Sequence, residues 1–455
     1  MKLQTLNKRK DTDMTVGSIP RLLLYFSVPL LIGNVFQQLY NTVDSIIVGN
    51  YVGKEALAAI GCSTPVINTF IMFFSGLASG AGVLISNNYG ARNDEKLHQS
   101  VQTTLSFTLI LCVLITFLGV WLTPKMLVMM DTPDDVMDEA AEYLRIYFMG
   151  VSGLLLYNIG SGILRAVGDS TRPLYVLIFC TVLNTALDIL FVKTFGMGVS
   201  GAAVATVIAM VLSAMILLIM LQTTDAPYRM NVFRPELKWD ILKGICAIGL
   251  PSAIQMALTS FSNVFVQSYI NRFGSSAMAG WSAYLKVDAF AMLPIASLSL
   301  ALTTFVGQNI GAKDIERTKK SMRVSIGIGY AMMAVLIVPL MLFAPQLTMM
   351  FNREASVVEM GTFFIRWLTP FYLFFVINQM FRGFLTGCGK TMATMIIMLT
   401  SFVAVRQIYL FIVYRLGGSL LPIALGYPLG WFACSVLLLI YYFAKKPLDE
   451  MVTEE

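Results

Sequence analysis

The 455-residue chain predicts an all-α polytopic membrane protein, with twelve transmembrane helices in two six-helix lobes related by a pseudo-two-fold axis along the membrane normal. Three observations carry that prediction. Hydrophobic residues make up 57% of the chain and charged residues 13%, about half the charge of a soluble domain. Apolar runs of the roughly 20 residues needed to cross the hydrocarbon recur along the whole length. Landmarks of the first half also return in the second at an offset of 221 residues.

Taken in order, polar and charged clusters break the chain into spans near 20–49, 57–87, 97–122, 140–164, 172–194 and 200–222. A second set falls near 241–271, 278–308, 320–344, 359–385, 391–414 and 419–443. The breaks are short and polar, as in "NYVGKEA", "NNYGARNDEK" and "AVGDSTRP". Several runs exceed the minimum length and imply tilt or extension beyond the bilayer. The organisation that follows is a tail 1–19, a first lobe 20–222, a linker 223–240, a second lobe 241–443 and a tail 444–455. The basic opening "NKRKDTDM" leads into a long span and not into a short cleavable apolar segment, so it reads as an uncleaved tail.

Charge orients the spans. Alternating the connections leaves 22 of the 32 Lys and Arg on the side that holds both tails and 8 on the other, with Lys286 and Arg406 inside spans. The positive-inside rule then makes both tails cytoplasmic and the protein a multi-pass component of the plasma membrane, the inner membrane where there are two. The acidic stretch "DTPDDVMDEAAEY" falls outside.

The chemistry of several classes is missing. One histidine, His98, lies in a polar connection, and six cysteines lie far apart with no metal-ligand spacing. A zinc enzyme, a haem protein and a histidine-based hydrolase are disfavoured, and no cofactor or nucleic-acid partner is expected. A Gly-x-x-x-x-Gly-Lys-Ser/Thr loop is lacking, so ATP is not the direct drive.

The repeat is specific. "VGKEALAAI" (52–60) lies over "FGSSAMAGW" (273–281), "NNYGARN" (87–93) over "QNIGAKD" (308–314), "YLRIY" (143–147) over "FIRWL" (364–368) and "GILRAVG" (162–168) over "GFLTGCG" (383–389). Six spans per copy give both copies the same orientation, the parallel-repeat plan of transporters with a central cavity.

One carboxylate needs explaining. Asp44, in "LYNTVDSIIVGN", sits within the first span, where a charge costs at least about 2.5–3.5 kcal/mol. The fifth span offers partners in "TVLNTALDILF": Asn184 and Asp188, four apart, share a helix face. The sixth adds Thr206. Two carboxylates, an amide oxygen and a hydroxyl suit a proton or a hard cation, and two neighbouring acids titrate as a unit with at least one pKa raised.

With its two six-helix lobes, the opening "VPLLIGNVFQQLYNTVDSIIVG" and the paired "YGARN"/"IGAKD" connections, the chain resembles multidrug and toxic compound extrusion (MATE) transporters over nearly its whole length. Asp44, Asn184, Asp188 and Thr206 match the cation or proton site of the branch that carries it in the N-terminal lobe, and they would ligate Na⁺ if sodium is the coupling ion. Gln37, a substrate-binding residue, and the kink proline Pro29, a hinge, match as well. Asn158 and Met210 fall where such proteins line the drug chamber. The resemblance implies a monomeric secondary antiporter that exports amphipathic, cationic drugs or metabolites by alternating access in exchange for H⁺ or Na⁺, in contact with membrane lipid. The competing reading is a lipid-linked precursor flippase or a metabolite exporter of related architecture.

The second lobe does not repeat the polar set: at offset 221, Asp44 falls on Phe265, Asn184 on Val405, Asp188 on Tyr409 and Thr206 on Tyr427. Its seventh and tenth spans carry Gln255, Asn378 and Gln379 but no acid. Its own charges are Lys286 and Asp288 in "YLKVDAF" and Arg406 in "VAVRQIYL". Residues two apart do not share a face, so Asp288 is expected to pair with Arg406 across helices. The spacing "GLASG" (76–80) predicts a close helix crossing.

Overall fold

The computed structural model describes residues 13–130 and 132–449. The ends of both tails, and the side chains of Asn41, Asp44, Ser45, Ile46, Lys54, Glu55, Leu57, Pro65 and Asp135, lie outside the described residues. The first unit is built on helices α1 (Ile19–Tyr51), α2 (Lys54–Gly90), α3 (Asp94–Met129), α4 (Asp134–Ala166), α5 (Thr171–Thr194) and α6 (Gly198–Thr223). The second is built on α7 (Trp239–Asn271), α8 (Ser275–Gly311), α9 (Ile315–Leu342), α10 (Ala355–Gly387), α11 (Thr391–Arg415) and α12 (Leu420–Lys445). All twelve are long and apolar enough to cross a membrane. The helices outrun the apolar segments, α3 most clearly, because hydropathy marks only the lipid-embedded stretch while backbone hydrogen bonding continues into water.

The repeat is visible in local geometry. Arg92 and Lys313, in the paired connections, both take left-handed backbone (φ 55° and 60°). The residues that follow cap the next helix: Asn93 accepts from the Lys96 N–H (3.0 Å) and Asp314 from the Arg317 N–H (2.9 Å). These caps satisfy backbone donors that the first helical turn leaves open. The same turn chemistry was therefore kept in both copies.

Contacts divide the chain at two prolines. Val28–Leu250 forms the body of the first compact unit, and Met14–Ser27 joins Pro251 onward in the second. Each unit thus holds the lead-in of the other's first helix. In the second unit Met14 is fixed on both sides: its N–H donates to Gln308 Oε1 (2.9 Å), and its carbonyl accepts from Asn309 Nδ2 (3.3 Å) and Arg317 Nη2 (3.2 Å). In the first unit the linker is pinned along α3, with Asn231 N–H on Gln102 Oε1 (3.3 Å) and Ser106 Oγ–H on the Glu236 carbonyl (2.8 Å).

Within the first unit α4 is the central helix, packed on α2, α3 and α6. Small residues allow the approach: a Cβ on Gly153 would lie 2.8 Å from the backbone of Met210 and Val211 on α6. Gly80, the end of "GLASG", meets the Gly249 backbone, so the predicted close crossing is made with the start of α7. In the second unit α8 takes the same role against α10, where Gly383 and Gly387 face the Ser299 and Thr303 carbonyls. Three helices are irregular. α5 ends in a π turn (Ile189–Thr194), α11 contains one (Thr400–Val405), and α10 tightens to 3₁₀ at Thr369–Phe371.

Candidate functional site

α5 places Asn184 and Asp188 one above the other just before its π turn, and α6 crosses beside them with Thr206. Asp188 is fully buried, with Asn184 at 1% and Thr206 at 3% exposure. With its amide oxygen toward α6, Asn184 donates Nδ2–H to Asp188 Oδ2 (2.9 Å) and accepts from the Thr206 N–H (3.2 Å). α1 contributes Tyr40, whose hydroxyl donates to Thr206 Oγ1 (3.1 Å). Three of the four residues read from the sequence are therefore assembled. The fourth, Asp44, lies outside the described side chains, four residues beyond Tyr40 on the same helix.

A cavity of about 80 Å³ opens next to this cluster, lined by Gln37 and Tyr40, by Thr181, and by Thr206, Met210 and Ser213. Each water needs roughly 10–15 Å³ on this measure, so the space suits an ion with its remaining waters. A drug-sized ligand needs about 300–1,000 Å³, and admitting one requires the helices to part. Gln37 and Met210 line this cavity. Asn158 lines a separate cavity of about 20 Å³ between α2, α3, α4 and α7, its Nδ2–H on the Leu154 carbonyl (3.0 Å). Leu154 and Tyr157 are the α4 residues that face the Met210 cavity. The sequence reading missed Tyr40, Thr181 and Ser213. Helix periodicity would have found them, since 37 and 40, then 181, 184 and 188, then 206, 210 and 213 recur at i, i+3 or i+4, i+7.

Pro29 lies in α1 two residues past the switch from second-unit to first-unit packing. Its counterpart is Pro251 in α7, also at a switch. The offset of 221 aligned Pro29 with Leu250. The second copy carries one residue fewer between its proline and the glycine before its second helix (Gly53 and Gly274), so the register is 222 before that point and 221 after it.

The charges of the second unit do not form the expected pair. Asp288 accepts hydrogen bonds from two tyrosines, Tyr372 (2.6 Å) and Tyr284 (3.2 Å). Arg406, only 2% exposed, donates Nη2–H to Ser262 Oγ (2.8 Å) and Asn263 Oδ1 (2.9 Å), with its guanidinium over the Tyr427 ring (4.9 Å). Hydroxyls, an amide and an aromatic face replace the ion pair. Lys286 is exposed and rests over the Phe351 ring (5.2 Å), while Gln255 is buried in α7.

The chain is similar to known proteins over nearly its full length. It is 32% identical to the probable multidrug resistance protein YoeA of Bacillus subtilis (strain 168), covering 96% of both chains. A second protein of that organism, the probable multidrug resistance protein YpnP, is 27% identical over 98% of this chain and all of its own. Among solved structures, the outward-facing conformation of a multidrug resistance MATE family transporter of the MOP superfamily superposes with a TM-score of 0.90 at 25% identity, covering 98% and 99% of the two chains. The MatE family matches twice, over residues 29–190 and 251–412, each match opening on one of the two switch-point prolines. A duplicated six-helix unit, full-length kinship and a buried polar site in the first copy agree: the chain belongs to the MatE family of membrane transporters.

Proposed function

We propose that the protein is a secondary multidrug antiporter of the plasma membrane, expelling amphipathic cationic compounds in exchange for H⁺ or Na⁺ by alternating access, with its coupling site in the first unit. The observation that carries this reading is Asp188, a fully buried carboxylate in a membrane-spanning helix, hydrogen-bonded to Asn184, whose neighbour Thr206 lines a small, mostly apolar cavity. A buried carboxylate is tolerated when a proton or cation neutralises it. Asp44, Asp188, Asn184 and Thr206 together offer the oxygens that a proton or a sodium ion needs.

In this mechanism the ion enters from outside and neutralises the acids, weakening the hold on a cationic drug, which leaves outward. In the inward-facing state the ion departs and drug enters beside Gln37 and Met210. Reciprocity requires each species to weaken the other by the same factor. Pro29 takes up the accompanying bend of α1. The excess of basic residues on the side of the tails supports a cytoplasmic position for both. A flippase for pyrophosphate-linked lipids would line its cavity with arginines, and the described lining of this cavity has no basic residue.

The test is efflux of a fluorescent organic cation from proteoliposomes under separate H⁺ and Na⁺ gradients, comparing wild type with Asp44→Asn. Transport driven by one gradient and abolished in a folded variant supports antiport and names the ion. Undiminished efflux in Asp44→Asn removes the coupling assignment.

A further inference from the structure

Each unit carries an open cleft where the chain passes from its third helix to its fourth, about 590 Å³ in the first unit and, against the short helix Ala344–Met349, about 660 Å³ in the second. The linings correspond through the repeat. Pro124, Asp138 and Arg145 line the first, and Pro345, Glu359 and Arg366 line the second, each 221 residues on, while one charge in each cleft has no counterpart, Glu142 in the first and Arg353 in the second. The polar site of the first unit was not duplicated, yet this acid-and-arginine pair was.

In both clefts the acid precedes the arginine by seven residues, two helical turns, which puts them on one face about 10 Å apart along the axis. The fourth helix enters the membrane there, so the acid is the shallower group and the arginine the deeper. Met149 lies one turn past Arg145 in the first cleft, and Trp367 lies next to Arg366 in the second. Neither Arg145 nor Arg366 forms an ion pair among the described residues, although each lies near the start of an apolar helix. Exposed tryptophans mark the level: Trp121 (57%), with Lys125 Nζ 4.4 Å from its ring centre, beside the first cleft and Trp367 (48%) in the second. Tryptophans of this kind gather at the headgroup layer.

We propose that these clefts are paired binding sites for a zwitterionic phospholipid of the ethanolamine type, the arginine holding the phosphodiester and the acid the ammonium group. The depth order of the protein groups repeats that of the lipid: ammonium outermost, phosphate beneath it, acyl chains deepest. An arginine near the hydrocarbon that forms no ion pair with the protein is neutralised by the phosphate. The inference stands apart from what the protein transports.

The test is native mass spectrometry of the full-length protein titrated with dioleoyl phosphatidylethanolamine. Wild type should retain two lipids, Arg145→Gln or Arg366→Gln one, and R145Q/R366Q neither, affinity falling about fivefold or more per site. The charge-neutral pair D138N/E359Q should keep binding but shift its preference from phosphatidylethanolamine to phosphatidylglycerol. The proposal fails if R145Q/R366Q retains lipid unchanged, if D138N/E359Q leaves the preference unmoved, or if dioleoylglycerol binds equally well. Displacement of the lipid by equimolar glycerophosphoethanolamine, which lacks acyl chains, would also overturn it, because the site would then hold a soluble phosphodiester.

Discussion

Two polar clusters lie in helices that a duplication made from one ancestor, and they solve the burial of charge differently. In the first unit Asp188 is held by an amide whose other end reaches a backbone N–H, beside a cavity with room for water. In the second, Asp288 is clasped by two tyrosines, and Arg406 is fixed by Ser262 and Asn263 under an aromatic ring. The rings of Trp281, Tyr284, Phe364 and Tyr427 pack together around that cluster. The contrast teaches that buried charge in a transporter is not by itself a coupling site. On the proposed reading, a carboxylate next to adaptable oxygens and space gains and loses an ion, whereas one held by tyrosines inside packed rings serves packing.

The comparison breaks most decisively at Asp188. Asp188→Asn keeps the volume, so the protein should fold while gradient-driven efflux falls to background. Vesicle efflux and a thermal melt measured together would show this, and retained coupling would put the two clusters on an equal footing. Asp288→Asn should do the reverse. It should lower stability by about 1–3 kcal/mol through the disturbed tyrosine bonds and leave the ion dependence of transport unchanged, and a shift in the coupling ion's half-saturating concentration would contradict that. A smaller effect is expected of Tyr40→Phe, which removes the hydroxyl on Thr206. Ion binding should weaken roughly 2- to 10-fold, the value of one net hydrogen bond, as read from the ion dependence of efflux.

The smallest effect belongs to the exposed Lys319–Asp449 bridge (2.6 Å), where the lysine's hydrogen bond holds the Asp449 carboxyl below its ordinary value. A depressed carboxylate contributes stability above its unfolded pKa, about 3.9, and loses it as pH falls through the folded value. Melts of wild type and Asp449→Asn should differ slightly at pH 6, and the difference should shrink as pH falls below the unfolded value of about 3.9.

The twelve spans were legible because lipid demands long apolar runs, and the duplication because its turns kept their capping chemistry at Asn93 and Asp314. Asn184, Asp188 and Thr206 were legible because polar residues inside spans are rare enough to count. The pairing of Asp288 was not, since the sequence suggests opposite charges as partners and gives no sign that two tyrosine hydroxyls converge on an acid. Asn158 lies outside the Met210 cavity for a rotational reason: residue 157, one step of about 100° earlier on α4, faces it. Pro251 was hidden by a single-residue deletion, which shifts the register before Gly274 but not after it.

The exchange of lead-in segments has a consequence for biosynthesis. Met14 is hydrogen-bonded to Gln308, 294 residues further along. At the usual 5–20 residues per second, that partner leaves the ribosome roughly 15–60 s after Met14 does. For that interval the start of the first helix waits in the membrane without its final neighbours. The first six spans can pack before the chain is finished, but their opening segment cannot. Completion of the N-terminal end is deferred to the second half of translation, and a chain that stalls before its eighth helix leaves that end unanchored.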